Sequence, residues 1–465
     1  MMPGISDLFL SSSLSKELYD QCKNNPIVDY HSHLSPQKIY ENEIFSNITE
    51  LWLRDDHYKW RALRLFGQDE LIFRKKGNDF ELFKTWCEIF PSLIFNPLYD
   101  WTKLELKQYF DTEAEPNSKN AKAIWEQLNG TIANKKLSPR SILMQSGVEV
   151  LCTSDDPTDS LEYHLKLRDE GGFEISILPT FRLDKLFYKE NFNELKSWLK
   201  LLEAVTNRNI SNLNDLKDGL IERHQFFHDC GCRMSDHGLE KISYIQCSDT
   251  DAEKLLASIL NEKQLTQDEM DQWNSFVLVF IIGLNHSKKW TTLLHLGAIR
   301  NNNGVAYQRF GLDNGTDSVG DFTHAKGINK LLDHLENNDT LHKLVLFNLN
   351  PADNYLFSSI MGNFYGNGII NKVQHGPAWW FLDTREGITD HFNSYSNLGI
   401  YENFIGMVTD SRSFTSFVRH DYYRRTLAGL MALKVEKNEI ITDQSNLHRF
   451  LKKVTYSNAL EIFKG

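Results

Sequence analysis

Eight short runs rich in β-branched and apolar residues recur along the 465-residue chain, each ending in polar residues or glycine, with helical patterns between them. The runs are Pro26 to His33, Val148 to Ser154, Phe173 to Thr180, Cys230 to Asp236, Thr291 to Gly297, Lys343 to Asn350, Asn371 to Gly376 and Asn403 to Asp410. Strands separated by helices pair in parallel, and eight of them favour a closed barrel over an open, doubly wound sheet. The expected fold class is therefore α/β, a (β/α)8 TIM-type barrel with a large helical insertion after the first strand.

The insertion follows from one disproportionate gap. More than a hundred residues separate His33 from Val148, about three times what a βα unit needs. Stretches such as "ELFKTWCEIF" and "AKAIWEQL" read there as amphipathic helices. The expected division is 1–34 for the N-terminal segment and first strand, 35–147 for the helical insertion, and 148–465 for the remaining barrel. A βα connection leaves the barrel at its catalytic end, which puts the insertion beside the mouth. The stretch "HDYYRRTLAGLMALKVE" reads as the helix that closes the barrel.

Composition narrows the function classes. Hydrophobic residues make up 41% and charged residues 24%, ordinary globular usage. The longest apolar run, Phe276 to Gly283, is short of the roughly 18 residues of a membrane span. The N-terminus lacks the basic region of a signal peptide, so a cytoplasmic location is expected. A net charge of -11 argues against nucleic acid as partner. None of the six cysteines forms a Cys-x-x-Cys pair, which suits reduced, structural thiols.

In a barrel, reactive groups collect just after the strand ends. The first run ends in His31-Ser32-His33, the third is followed by Phe181-Arg182, the fourth by Ser235-Asp236-His237-Gly238, the fifth holds His295, and the eighth ends at Asp410 before Ser411-Arg412. Alternate residues of a strand share a face, so His31 and His33 both point to the axis. Two imidazoles suit a cation such as zinc, and Asp410, on the strand that closes against the first, completes a three-ligand set with an open position. His-x-His spacing alone defines no site; its place at a strand end beside Asp410 is what argues for one. His237 and His295 read equally well as hydrogen-bonded barrel histidines. The triplet Trp379-Trp380-Phe381 reads first as packing, with Trp379 kept as a substrate contact.

Inside the insertion, "LRDDHYKWRALR" gathers His57, Tyr58, Lys59, Trp60 and Arg61. It reads either as a loop that closes over the metal or as a solvated helix start capped by Asp55 or Asp56.

These residues resemble the uronate (glucuronate) isomerases of the amidohydrolase superfamily. The likeness runs through "VDYHSHLSP", "WLRDDHYKWRALR", "LPTFRLDK", "GCRMSDHGL", "LHLGAIRNNN", "LNPADN", "WWFLD" and "GMVTDSRSFTSFVRHDYYRR", nearly the whole chain. Three places depart from the family pattern: Ser32 where cysteine is common, Asp55 in place of a glycine, and the run "QHGPAWWF". The resemblance implies a distorted barrel and one divalent metal ion, commonly Zn2+, held by His31, His33 and Asp410. It implies interconversion of D-glucuronate with D-fructuronate and of D-galacturonate with D-tagaturonate in hexuronate catabolism, by a homo-oligomer. Tyr58, Arg182 and Arg412 become active-site residues by position, with His57 and His295 as neighbours.

An aldose to ketose isomerisation removes a proton from C2, returns one to C1 and moves the carbonyl through a cis-enediol. The expected roles are Asp410 as base, Tyr58 as proton relay, Arg412 at the developing oxyanion, and Arg182 with His57 at the substrate carboxylate. The alternative is a mononuclear metal-dependent hydrolase on the same scaffold. Binuclear members of that superfamily carry a bridging lysine from the fourth strand, and "RMSDHGL" has none.

Overall fold

The structure is a computed structural model and describes residues 4–74, 77–187, 192–366 and 368–464. Seven of the eight expected runs are parallel strands of one sheet. They are β1 (Ile27–Ser32), β2 (Val148–Asp155), β3 (Ser176–Phe181), β4 (Met234–Leu239), β5 (Thr291–Leu296), β8 (Leu344–Asn348) and β9 (Val373–His375), in that spatial order. Between β5 and β8, β6 (Ala298–Ile299) and β7 (Ser318–Val319) form a small antiparallel ribbon. Every residue of β1, β5 and β8 is buried, the signature of parallel strands covered on both faces.

The sheet is strongly curled. β1 and β5 are four strand spacings apart, roughly 19 Å in a flat sheet at about 4.8 Å per spacing. Yet the rings of His31 on β1 and His295 on β5 lie 4.5 Å apart. Only a sheet wrapped around its own interior brings them together.

The eighth run, Asn403 to Asp410, is not a strand: a 3-10 turn ends at Asn403 and irregular chain follows. It still lies along β1. Asp410 N–H donates to the His31 carbonyl at 3.1 Å, and His33 N–H to the Ser411 carbonyl at 2.9 Å. Toward the other sheet edge, Ile405 N–H donates to the Gln374 side chain of β9 at 3.1 Å. The ladder is interrupted for two reasons. Gly406 and Asp410 adopt φ of 103° and 46°, which no regular strand accommodates, and Thr409 N–H is taken by the buried Asp29 carboxylate at 2.9 Å instead of a carbonyl.

Between β1 and β2 the described chain is helical, from Pro36–Glu41 through Pro139–Gln145. Trp52, Trp86 and Tyr109 of this region share one apolar cluster with Val28 and Tyr30 of β1 and with Tyr422 and Leu427 of the helix Val418–Glu436. A second cluster, with Trp198, Leu220 and Trp273, packs the helices that follow β3 and β4 against the sheet. The helix Val418–Glu436 also fastens the chain entering β1: Arg424 donates to the carbonyls of Lys23, Asn25 and Pro26. The long pattern from Asp251 to Gly283 resolves into two helices, Asp249–Leu260 and Gln267–Lys288. The second starts with a Thr266/Glu269 capping box.

Candidate active site

A cavity of about 280 Å³ opens where the curled sheet meets the helices between β1 and β2. His31, His33, Arg182, His295, Asp410 and Arg412 line it from the sheet and the segment beside it, and Trp379 from the chain after β9. His57 and Tyr58 line it from the helices between β1 and β2. All nine residues selected from the sequence meet at this one opening. His237 does not: it is wholly buried in the wall, 3.0 Å from Ser235 Oγ, and accepts from Leu183 N–H.

At the floor, the Nε2 atoms of His31 and His33 lie 3.2 and 3.1 Å from Asp410 Oδ1. One ligand-type atom from each of the three residues falls within 4.8 Å of the others. His31 Nδ1 and both ring nitrogens of His295 are buried without a hydrogen-bond partner. Two imidazoles, a carboxylate and unpaired nitrogens beside them fit a divalent cation with a position left for substrate. Ser32 faces the other way and donates to the Cys152 carbonyl of β2 at 2.8 Å.

Asp236, on β4, is wholly buried and 3.7 Å from His31 Nδ1. Burial alone would raise its pKa, but Arg182, His31 and the Thr180 hydroxyl hold it well below the usual carboxylate range. Arg182 is itself gripped on two sides, with Nη1 2.9 Å from Asp236 and Nε and Nη2 2.9 Å from Asp184. Both arms of its fork reach a substrate carboxylate only if one of these partners lets go. Arg412 is more open, 38% exposed, with Asp313 3.5 Å away.

The helical stretch between β1 and β2 supplies its residues from the helix His57–Leu65. Asp56 caps it by accepting from the N–H groups of Tyr58 and Lys59. This helix start is not solvated. Lys59 is 1% exposed and lies 3.0 Å from Glu105 and 3.2 Å from Asp56. Glu105 in turn accepts from Thr415 Oγ1 at 2.9 Å, so a buried ionic chain ties His57 and Tyr58 to the loop that carries Asp410 and Arg412. His57 Nε2 stands 3.3 Å from Arg412 Nη1. Burial and the Arg412 charge push its pKa down to about 4, so at neutral pH it is an uncharged acceptor. Burial raises the Tyr58 phenol, with Arg419 opposing, so Tyr58 carries its proton.

His295 is sandwiched by His31 and by Phe347 at 4.2 Å, with the Trp379 ring edge-on at 4.7 Å. Burial, then His31, holds its pKa low. Trp379 Nε1 donates to the Asn348 carbonyl at 2.8 Å, so the indole both packs and faces the cavity. Three cavity-lining residues other than glycine have strained backbones: Asp410, Trp380 and Asp313 have φ of 46°, 51° and 54°. Sequence reasoning named Asp236 in the fourth run but gave it no role, and passed over Asp383 and Arg419. Asp236 lies within β4. The other two lie on a loop and a helix, where no strand-end rule points to them.

The sequence pattern of the glucuronate isomerase family matches residues 2–463. A uronate isomerase of Caldanaerobacter subterraneus subsp. tengcongensis is 42% identical over 456 residues, covering 98% of each chain. One of Bacteroides thetaiotaomicron is 40% identical over 461 residues, again 98% of each. Among solved structures, the uronate isomerase of Thermotoga maritima superposes with a TM-score of 0.92 at 29% identity over the whole of both chains. The glucuronate isomerase of Caulobacter crescentus shares the fold, with a TM-score of 0.91 at 23% identity over 99% of this chain and 96% of its own. With its cavity, its His-His-Asp floor and its sequence matched from end to end, the chain belongs to the glucuronate isomerase family of uronate isomerases.

Proposed function

We propose that this enzyme interconverts D-glucuronate with D-fructuronate and D-galacturonate with D-tagaturonate by proton transfer through a cis-enediol. The observation that carries the reading is the meeting of His31, His33 and Asp410 with Tyr58, Arg182 and Arg412 at one cavity in a chain of this family. The site is small, at the lower end of ligand pockets, in keeping with a six-carbon sugar acid. The hydrolase alternative is not favoured, since no relative named above is a hydrolase.

His31, His33 and Asp410 would hold one divalent cation, Zn2+ in our reading; when bound, it supplies positive charge next to the carbonyl and lowers the cost of the enediolate. The chain's own groups do the proton work. Asp410 takes the proton from C2 and returns it to C1 on the same face. Tyr58 gives its proton to O1 and recovers one from O2, which moves the carbonyl without net change at the phenol. Arg412 faces the developing oxyanion. Arg182 contacts the substrate carboxylate by the edge its partners leave, with His57 accepting from a substrate hydroxyl, and His295 and Trp379 form the wall behind the sugar.

Three further readings go with this one. The segment 404–411 serves as the eighth stave of a closed (β/α)8 barrel, and 35–147 is an insertion that forms one wall of its mouth. The enzyme works in the cytoplasm, consistent with six unpaired cysteines. It assembles as a homo-oligomer, checked by light scattering.

Incubation of the purified, metal-analysed protein with D-glucuronate or D-galacturonate tests the function. Appearance of the matching ketose, loss on chelation and recovery with Zn2+ are expected. A fully metallated protein that leaves both aldoses unchanged would sink the proposal.

A further inference from the structure

Tyr58 sits against a buried cation that no strand-end pattern pointed to. Arg419 Nη1 donates to the Tyr58 hydroxyl oxygen at 3.3 Å and to Asp383 Oδ2 at 2.8 Å. The guanidinium carbon lies 4.9 Å from the centre of the Tyr58 ring and 5.0 Å from that of Trp101, and Trp101 meets Tyr58 edge-on at 5.5 Å. Arg419 and Asp383 are each 2% exposed, and Asp383, like Tyr58 and Trp101, lines the cavity.

Two features distinguish this from an ordinary buried ion pair. First, the pair is one-armed. Asp383 Oδ1 and Arg419 Nη2 have no hydrogen-bond partner, although arginine and carboxylate usually join through two parallel bonds. The second bond is forgone so that one nitrogen serves both the carboxylate and the phenol. Second, a guanidinium has donors and no acceptor. The Tyr58 hydrogen therefore cannot turn toward Arg419, and it finds no acceptor among the described residues.

We propose that Arg419, anchored by Asp383, is a positioning residue that turns the Tyr58 hydroxyl proton into the cavity and supports the phenolate while that proton is on the substrate. The proposal rests on the reading that Tyr58 relays a proton between O1 and O2. The step balances. The Tyr58 O–H bond breaks as the O1–H bond forms, the phenolate is held beside the Arg419 cation, and the O2 proton then restores the phenol as C2 becomes the carbonyl. The direct partner of this cation is Asp383, which keeps its charge compensated while Tyr58 is neutral.

A double-mutant cycle on the holoenzyme tests it, with metal content measured for every variant. Arg419→Lys keeps the charge and loses the fork; it is expected to lower kcat about 10- to 100-fold with KM within about threefold. In the Tyr58→Phe background the same change is expected to cost less than about threefold, because there is no proton left to aim. An equal cost in both backgrounds overturns the proposal and makes Arg419 a structural residue. If Tyr58→Phe alone keeps full kcat, the relay reading itself fails, which is a separate result. Should Arg419→Lys not fold, Asp383→Asn carries the same cycle, since asparagine still accepts from Arg419. A kcat loss of about three- to tenfold that vanishes in the Tyr58→Phe background supports the proposal, and a loss that persists there overturns it.

Discussion

The two walls of the cavity are built on different principles. The sheet wall takes His31 and His295 from fully buried strands and His33 from the residue just past the first of them, where alternation and backbone pairing fix each side chain's direction. The insertion wall takes His57 and Tyr58 from the first turn of a nine-residue helix, held by Lys59, Asp56, Glu105 and Thr415 and by the Arg419–Asp383 pair. One wall is positioned by local geometry, the other by buried charge. Charges held inside a protein are strongly coupled and costly to leave unpaired, so the insertion wall should fail abruptly where the sheet wall yields by degrees.

Substitutions test that contrast. The largest effect is expected at the floor: Asp410→Asn should lower kcat by about 10²–10⁴-fold, and near wild-type turnover at full metal occupancy would remove Asp410 as the base. Next comes Lys59→Met, which strands Glu105 and Asp56 without their cation. Urea unfolding should show a loss of about 3–5 kcal/mol; a loss under 1 kcal/mol would mean that charge does not hold the insertion wall. Arg182→Lys, which loses the fork shared by Asp184 and Asp236, should raise KM at least about tenfold. An unchanged KM would move the carboxylate site to Arg412.

The helices outside the sheet give a control that does not line the cavity. His224 is 2% exposed and packs on Trp290 with ring centres 3.9 Å apart; burial pushes its pKa down to about 4. Between pH 6.5 and 4 the unfolded chain binds a proton there that the folded chain refuses, so stability falls as pH drops through that window. About 1–2 kcal/mol should be lost by pH 5 through this group, beside the contributions of other buried histidines such as His164 and His237. His224→Gln should reduce the slope by about one proton; an unaltered slope would mean that His224 does not contribute to it. The smallest effect belongs to Ser32→Cys. The side chain points at the β2 backbone, so kcat should stay unchanged and stability shift by less than about 1 kcal/mol. A large kcat change would mean that the sheet wall is not set by strand alternation.

How far the site could be read in advance follows the same division. His31, His33 and His295 were legible because a strand has a period of two and a parallel sheet delivers its strand ends to one rim. The eighth run was read as a strand from its apolar residues. Pattern does not reveal that Gly406 and Asp410 adopt positive φ, nor that Asp29 takes the N–H of Thr409. For "LRDDHYKWRALR" the sequence left two readings open, a closing loop or a solvated helix start. The structure shows a capped helix that is buried at its start, because Glu105, 46 residues from Lys59, supplies the compensating charge.

By itself the sequence determined the periodic features: eight strand-like runs, seven of which are parallel strands, the helical character of the long stretch between the first two, and a pair of imidazoles on one face beside a carboxylate. These rest on spacing, which the backbone enforces locally. Only the tertiary structure decided that Arg182 is shared by two carboxylates and that Arg419 shares one nitrogen between Asp383 and Tyr58. Partners in a buried polar network are chosen by proximity in space and by the cost of leaving a charge unpaired, and neither quantity is written in the order of residues along the chain.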